Sequence, residues 1–163
     1  MAKQDPVGIY AWQRHNEVVT TSGCLRESDL AALAELGVAH VIDLAPASHE
    51  NSISDEGTKL ARLGIKHTLI EVPFNTPTED HYQAFVKAYE KSSLPVHVHC
   101  IYNYRVSAFL YRYNLEHGMP KPMARELMIQ HWSPDASEHP AAKPWKEFIK
   151  ATIRNYKARR TGT

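Results

Sequence analysis

The chain reads as one α/β domain with a mainly parallel central sheet flanked by helices, and three observations carry that reading. Short apolar, β-branched runs alternate with stretches of helical period along the chain, with no repeat and no low-complexity linker. Helix stops recur where that alternation requires them, at Gly37, Gly64 and Gly118. With 163 residues, of which 43% are apolar, there is material for one core and no call for a second. A single domain over 1–163 is expected, with 1–7 and 158–163 as flexible ends.

Taken in order, Glu17 to Thr20 reads as a short edge strand, and Ser22-Gly23 turns the chain into a helix over Glu27 to Leu36, apolar at Leu30, Leu33 and Ala34. Val38 to Leu44 is a buried strand. After a polar stretch, Ser54 caps a helix ending at Leu63. Ile65 to Val72 is the next strand. Thr76-Pro77-Thr78-Glu79 then has the form of a capping box with proline at the first helical position, opening a helix to about Lys91. Leu94 to His99 is the central strand, followed by helices over Arg105 to His117 and Pro122 to Trp132. A loop over 133–140 precedes a last amphipathic helix carrying Trp145, Phe148, Ile149 and Ile153.

Nineteen basic residues against 18 acidic ones provide no electrostatic case for nucleic acid or a membrane surface as partner. The basic stretch Lys157 to Arg160 reads as a solvated helix end. Two cysteines, Cys24 and Cys100, make no disulfide framework for a chain this long, so a reducing compartment is expected. The N-terminal residues lack a hydrophobic signal core, and no apolar run reaches membrane-spanning length. The expectation is a cytoplasmic protein; the sequence sets no oligomeric state.

The segment from Val96 to Ser107 carries the chemistry: a strand, then Cys100, then Ile101, Tyr102, Asn103 and Tyr104, then Arg105 opening a helix. Loop N–H groups and a helix N-terminus converging after a strand make an electropositive place that favours a thiolate and cradles a tetrahedral anion. Arg105 adds a planar fork for two of its oxygens. Asn103 stands where glycine would be expected, and asparagine is the other residue that best tolerates positive φ. Right-handed crossovers place Cys100 at the carboxyl edge of the sheet, where ligands bind in open α/β folds.

The His99-Cys100-loop-Arg105 arrangement resembles the signature of the cysteine-dependent protein tyrosine and dual-specificity phosphatases. The loop is one residue shorter than theirs. It is more similar to a bacterial phosphatase-like branch with Cys-x4-Arg spacing, often labelled beta-lactamase-hydrolase-like. That likeness takes in Thr21-Ser22-Gly23, Val41 to Leu44, Val72-Pro73-Phe74 and Arg105-x-Ser107-Ala108-Phe109, and covers about residues 8 to 155. It implies a dual-specificity-phosphatase-like fold and a phosphatase acting without metal or other cofactor on a phosphorylated small molecule or phosphoprotein. Cys100 would be the nucleophile, and Arg105 with the N–H groups of Ile101, Tyr102, Asn103 and Tyr104 would hold phosphate. His99 would orient the loop and Ser107 would assist the departing sulfur. The family's acid would come from the loop before the third helix, where Asp80 and Glu79 are the nearest carboxylates. Asp135 and Asp43 are further candidates, each also readable as a turn residue.

Rival readings follow from the same residues. A rhodanese-type sulfurtransferase also sets a cysteine at a strand end in a compact loop, and a noncatalytic phosphate-binding domain would keep the cradle without an acid. His97 and His99 share one strand face, a spacing seen in metallohydrolases, but the other histidines have no regular spacing to them, so no metal is expected. Cys24 reads as a buried small apolar residue or as a resolving thiol for Cys100. Tyr102 and Tyr104 make the loop aromatic, which suits an aryl phosphate or phosphotyrosine.

Overall fold

The computed structural model describes residues 3–151, and β5 (Val96–His99) lies at the centre of a five-stranded sheet. The other strands are β1 (Gln13–Arg14), β2 (Val19–Ser22), β3 (His40–Asp43) and β4 (Lys66–Leu69), in the spatial order β1-β2-β5-β3-β4. Only the β1–β2 pair is antiparallel; β2 and β3 both run parallel to β5, with Ser22 and Asp43 each in register with His99. The helices are α1 (Glu27–Leu36), α2 (Glu56–Arg62), α3 (Glu79–Lys91), α4 (Tyr104–Glu116) and α5 (Lys121–Ile129). A 3-10 turn spans Pro140–Ala142, and the last helix is described over 143–151. Ile153 and the two chain ends lie outside the described residues, and no described helix is long and apolar enough to cross a membrane.

Alternation along β3 divides the core in two. Val41 joins Leu30 and Leu33 of α1 and Leu60 of α2, whereas its neighbour Ile42 joins Tyr82 and Phe85 of α3 and Phe109 of α4. Val96 and Val98 face the second cluster. His97 and His99 therefore face the α1/α2 side, a requirement that shapes the site.

Four readings are corrected. The strand at 17–20 starts later and is not an edge, because the two-residue β1 covers it. The α3 cap is Thr78, whose hydroxyl accepts from His81 N at 3.2 Å, so Thr76 and Pro77 precede the helix. The α4 start moves forward one residue to Tyr104, because Asn103 takes φ 67°, ψ 8° and acts as N-cap. The α5 helix ends at Ile129, and Trp132 beyond it stacks on Tyr104.

Candidate active site

Three neighbouring segments hold the loop after β5. Cys24 N donates to the Ile101 carbonyl at 2.8 Å, and Asn103 Nδ2 donates to Ala11 O and Thr21 Oγ1, each at 3.0 Å. Gly23 is required beside it, since a Cβ there would meet the Ile101 carbonyl and the Tyr10 ring at 2.6 Å. Among the described residues, the backbone N–H groups of Ile101, Tyr102 and Asn103 have no acceptor. Such groups form a concavity suited to an anion.

Arg105 is buried, and its Nε donates to the Val72 carbonyl at 2.8 Å while the guanidinium carbon lies 5.3 Å from the centre of the Phe74 ring. The bond through Nε leaves the two terminal nitrogens as the fork. Arg105 lines a cavity of about 530 Å³ together with Ile101, Tyr102 and Tyr104 of the loop. Phe74 and Trp132 continue its wall. Trp132 stacks on Tyr104 at 4.6 Å and 7°, and its indole N–H donates to the Tyr104 carbonyl at 3.0 Å. The indole of Trp145 donates to the Phe74 carbonyl at 2.7 Å, holding Phe74 in place. Cys100 is fully buried and is not among the residues that line this cavity.

On the other face of β5, a group of ionisable residues anchors the loop. Glu56 Oε2, at the first turn of α2, is 2.9 Å from His67 Nε2 and 3.0 Å from His99 Nε2. Asp43 Oδ1 lies 3.7 Å from His99 Nδ1, which is 3.4 Å from the Cys100 carbonyl. Burial pulls the His99 imidazolium down, but the Asp43 and Glu56 carboxylates outweigh it and hold it at about 9. Burial pushes the Glu56 carboxyl up, and its bonds to His67 and His99 outweigh this and hold it at about 2. Burial raises the Asp43 carboxyl against the opposing charge of His99. The cluster places a positive imidazolium directly before Cys100.

His97 is different in kind. Its nitrogens are each 2.8 Å from a hydroxyl, Thr20 Oγ1 and Ser22 Oγ, and burial, with the His99 charge added, keeps it well below the ordinary imidazole value. It is a neutral ring bonded between β2 and β5. The donor atoms close enough to hold a cation among the described residues belong instead to Asp43, Glu56 and His67, within 4.8 Å of one another.

The remaining predicted residues are not brought to the cavity. The Ser107 hydroxyl donates to the Tyr104 carbonyl at 3.1 Å, and the residue lines a separate cavity of about 10 Å³, so this hydroxyl has a partner other than the sulfur. Asp80 is exposed in the first turn of α3. Glu79 makes a two-pronged pair with buried Arg112, both bonds 2.7 Å. Asp135 accepts from Ser133 Oγ at 2.7 Å and Arg125 at 3.0 Å, and these bonds outweigh partial burial to keep its carboxyl low. No Asp or Glu lines the cavity among the described residues. Sequence reasoning passed over Glu56 and His67, and also His49 and His139, which line the cavity from loops without periodic pattern. A signal for Glu56 was available: a buried histidine pair on one strand face needs partners from the helix packed over it.

No family model matches the chain, and no curated protein matches it by sequence. Solved structures do. The "Putative phosphatase (DUF442)" from Shewanella putrefaciens CN-32 is 29% identical, with a TM-score of 0.79 over 91% of this chain and 95% of that one. TpbA of P. aeruginosa, solved in complex with pTyr, shares the fold at 15% identity and TM-score 0.64, covering 87% of this chain and 90% of its own. PTPMT1 in complex with PI(5)P shares it at 16% identity and TM-score 0.66, covering 88% and 97%.

Proposed function

We propose that this chain, similar over 91% of its length to a bacterial putative phosphatase and sharing the fold of tyrosine-phosphatase-like proteins, hydrolyses phosphate monoesters through a phosphocysteine on Cys100. The observation that carries this reading is the combination of Arg105 and unoccupied loop N–H groups around one cavity, with Cys100 at the loop's start. The sulfur attacks phosphorus, an S–P bond forms and the P–O bond to the leaving group breaks. Arg105 and the N–H groups of residues 101–104 hold the three equatorial oxygens, whose charge grows in the transition state. The His99 imidazolium, its Nδ1 3.4 Å from the Cys100 carbonyl, fixes the start of the loop. Water then attacks phosphorus, the S–P bond breaks, and phosphate leaves with the thiolate restored.

The cavity also speaks to the substrate. Its wall is aromatic, and Arg105 is the sole Lys or Arg among the described lining residues. One phosphoryl group on a flat apolar body fits that supply of charge better than a multiply phosphorylated head group. Phosphotyrosine or a small aryl phosphate is therefore the substrate class. With no carboxyl in the cavity, turnover depends steeply on how readily the leaving oxygen departs.

Full burial of Cys100 favours one second reading, a noncatalytic phosphate-binding domain. Hydrolysis of an activated aryl phosphate by the parent, Cys100→Ser and Arg105→Ala decides between them, with thiosulfate-to-cyanide sulfur transfer measured alongside. Turnover lost in both variants is expected. Phosphate binding without turnover in the parent would establish the binding domain, and sulfur transfer without phosphatase turnover would establish a rhodanese-type activity.

A further inference from the structure

Two histidines at the cavity, His49 and His139, share a feature that the phosphate chemistry leaves unused. In each, the ring nitrogen Nδ1 accepts a backbone N–H two residues ahead: from Asn51 N at 3.0 Å in His49, and from Ala141 N at 3.1 Å in His139. A neutral imidazole carries one proton, so an accepting Nδ1 assigns it to Nε2. Both rings therefore offer an Nε2–H donor whose tautomer is set by the local backbone. They come from different loops, one after β3 and one after α5, and neither belongs to the loop over 100–105.

Two of the other wall residues, Phe74 and Trp132, have no free donor. Phe74 has no donor, and the indole N–H of Trp132 is engaged by the Tyr104 carbonyl. The Ser133 hydroxyl donates to Asp135, whereas the Ser137 hydroxyl, which accepts from His139 N at 3.2 Å, and the phenols of Tyr102 and Tyr104 keep a proton to donate. Phosphate oxygens are served by Arg105 and the loop. His49 and His139 add two imidazole donors to the lining beyond the groups that serve the phosphate.

We propose that His49 and His139 are specificity-determining donors that take a neutral acceptor oxygen on the substrate's body. The substrate class narrows to aryl phosphates carrying a carbonyl or similar oxygen away from phosphorus, as phosphotyrosine within a peptide does. This inference rests on the reading that the cavity receives the phosphate monoester.

Binding of benzylphosphonates by calorimetry tests it, because these ligands need no turnover. The pair to compare is 4-acetylbenzylphosphonate and its 4-isopropenyl isostere, which differ in the acceptor oxygen and little in shape. The parent should bind the acetyl compound about 3- to 10-fold more tightly, the range for one net hydrogen bond. The double variant His49→Phe/His139→Phe should bind the two within twofold, and His49→Gln/His139→Gln, which restores side-chain N–H donors, should recover the preference. The single variants repeat the comparison if the double Phe variant fails to fold, each lowering the ratio. Any other pattern overturns the inference, including equal binding by the parent. A parent that shows the preference yet no turnover would sink the phosphatase reading and leave the histidines in place; a parent that binds neither ligand would sink both.

Discussion

Replacing Glu56 by Gln removes the carboxylate that two imidazoles share and keeps nearly the same shape. In the parent, His99 rises from 6.5 to about 9 on folding. At about 1.4 kcal/mol per decade, this amounts to about 3 kcal/mol of folding free energy. The sign is set by the direction of the shift. The contribution is fully present below the unfolded value of 6.5 and disappears as pH rises through about 9, leaving about 2.5 kcal/mol at pH 7 and almost nothing at pH 10. In Glu56→Gln, burial faces only the more distant Asp43, so His99 is expected to lose its proton well below pH 9. Losses from altered hydrogen bonding are common to both pH values, and so are those from packing. The diagnostic quantity is therefore the difference. Urea unfolding of parent and variant should show Glu56→Gln costing about 2 kcal/mol more at pH 7 than at pH 10, with unchanged denaturant slope. An equal cost at the two pH values would refute the assignment of His99 as a carboxylate-held imidazolium. Direct titration of its ring by NMR would show the same thing independently.

Other outcomes follow from the same geometry. Arg105→Lys keeps the charge but loses both the fork and the Nε bond to Val72, and kcat/KM on an aryl phosphate should fall about 100-fold or more. Gly23→Ala drives a Cβ against the Ile101 carbonyl and the Tyr10 ring, so stability measured by urea unfolding should drop by about 1–3 kcal/mol, with activity lost in parallel.

The parts of the site legible in the sequence were those whose geometry is local. Cys100, the loop and Arg105 are contiguous, and their placement follows from a strand handing over to a helix. Asn103 was readable for the same reason: positive φ is a property of one residue, and the observed φ is 67°. Glu56 and His67 were not readable. Glu56 meets a histidine 43 positions away, through a contact created when β3 and β5 pair and α2 packs over them. The chain over 130–142 has no apolar period, so its role as a cavity wall emerges only from the stacking of Trp132 on Tyr104. β1 is two residues long, too short for any alternation to mark it, and missing it misplaced the sheet edge.

The short Cys-x4-Arg loop closes because its side chains do work that a longer loop could leave to its backbone. Asn103 turns the chain into α4 and ties that turn to Ala11 and Thr21, while Cys24 N holds the Ile101 carbonyl. Among the described residues, the N–H groups of Ile101, Tyr102 and Asn103 are left without acceptors. Arg105 is fixed in the same way from the other side, through Val72. Each anchor comes from a segment next to a strand that pairs directly or through one neighbour with β5, so the cradle inherits the rigidity of the sheet. The rest of the cavity wall is built differently, from loops and stacked rings. Under the proposed function, an anion site on a rigid edge and a body-recognition wall on loops can vary independently, so changes at His49 and His139 should alter selectivity among aryl phosphates, whereas changes at Gly23 or Asn103 should affect them all alike.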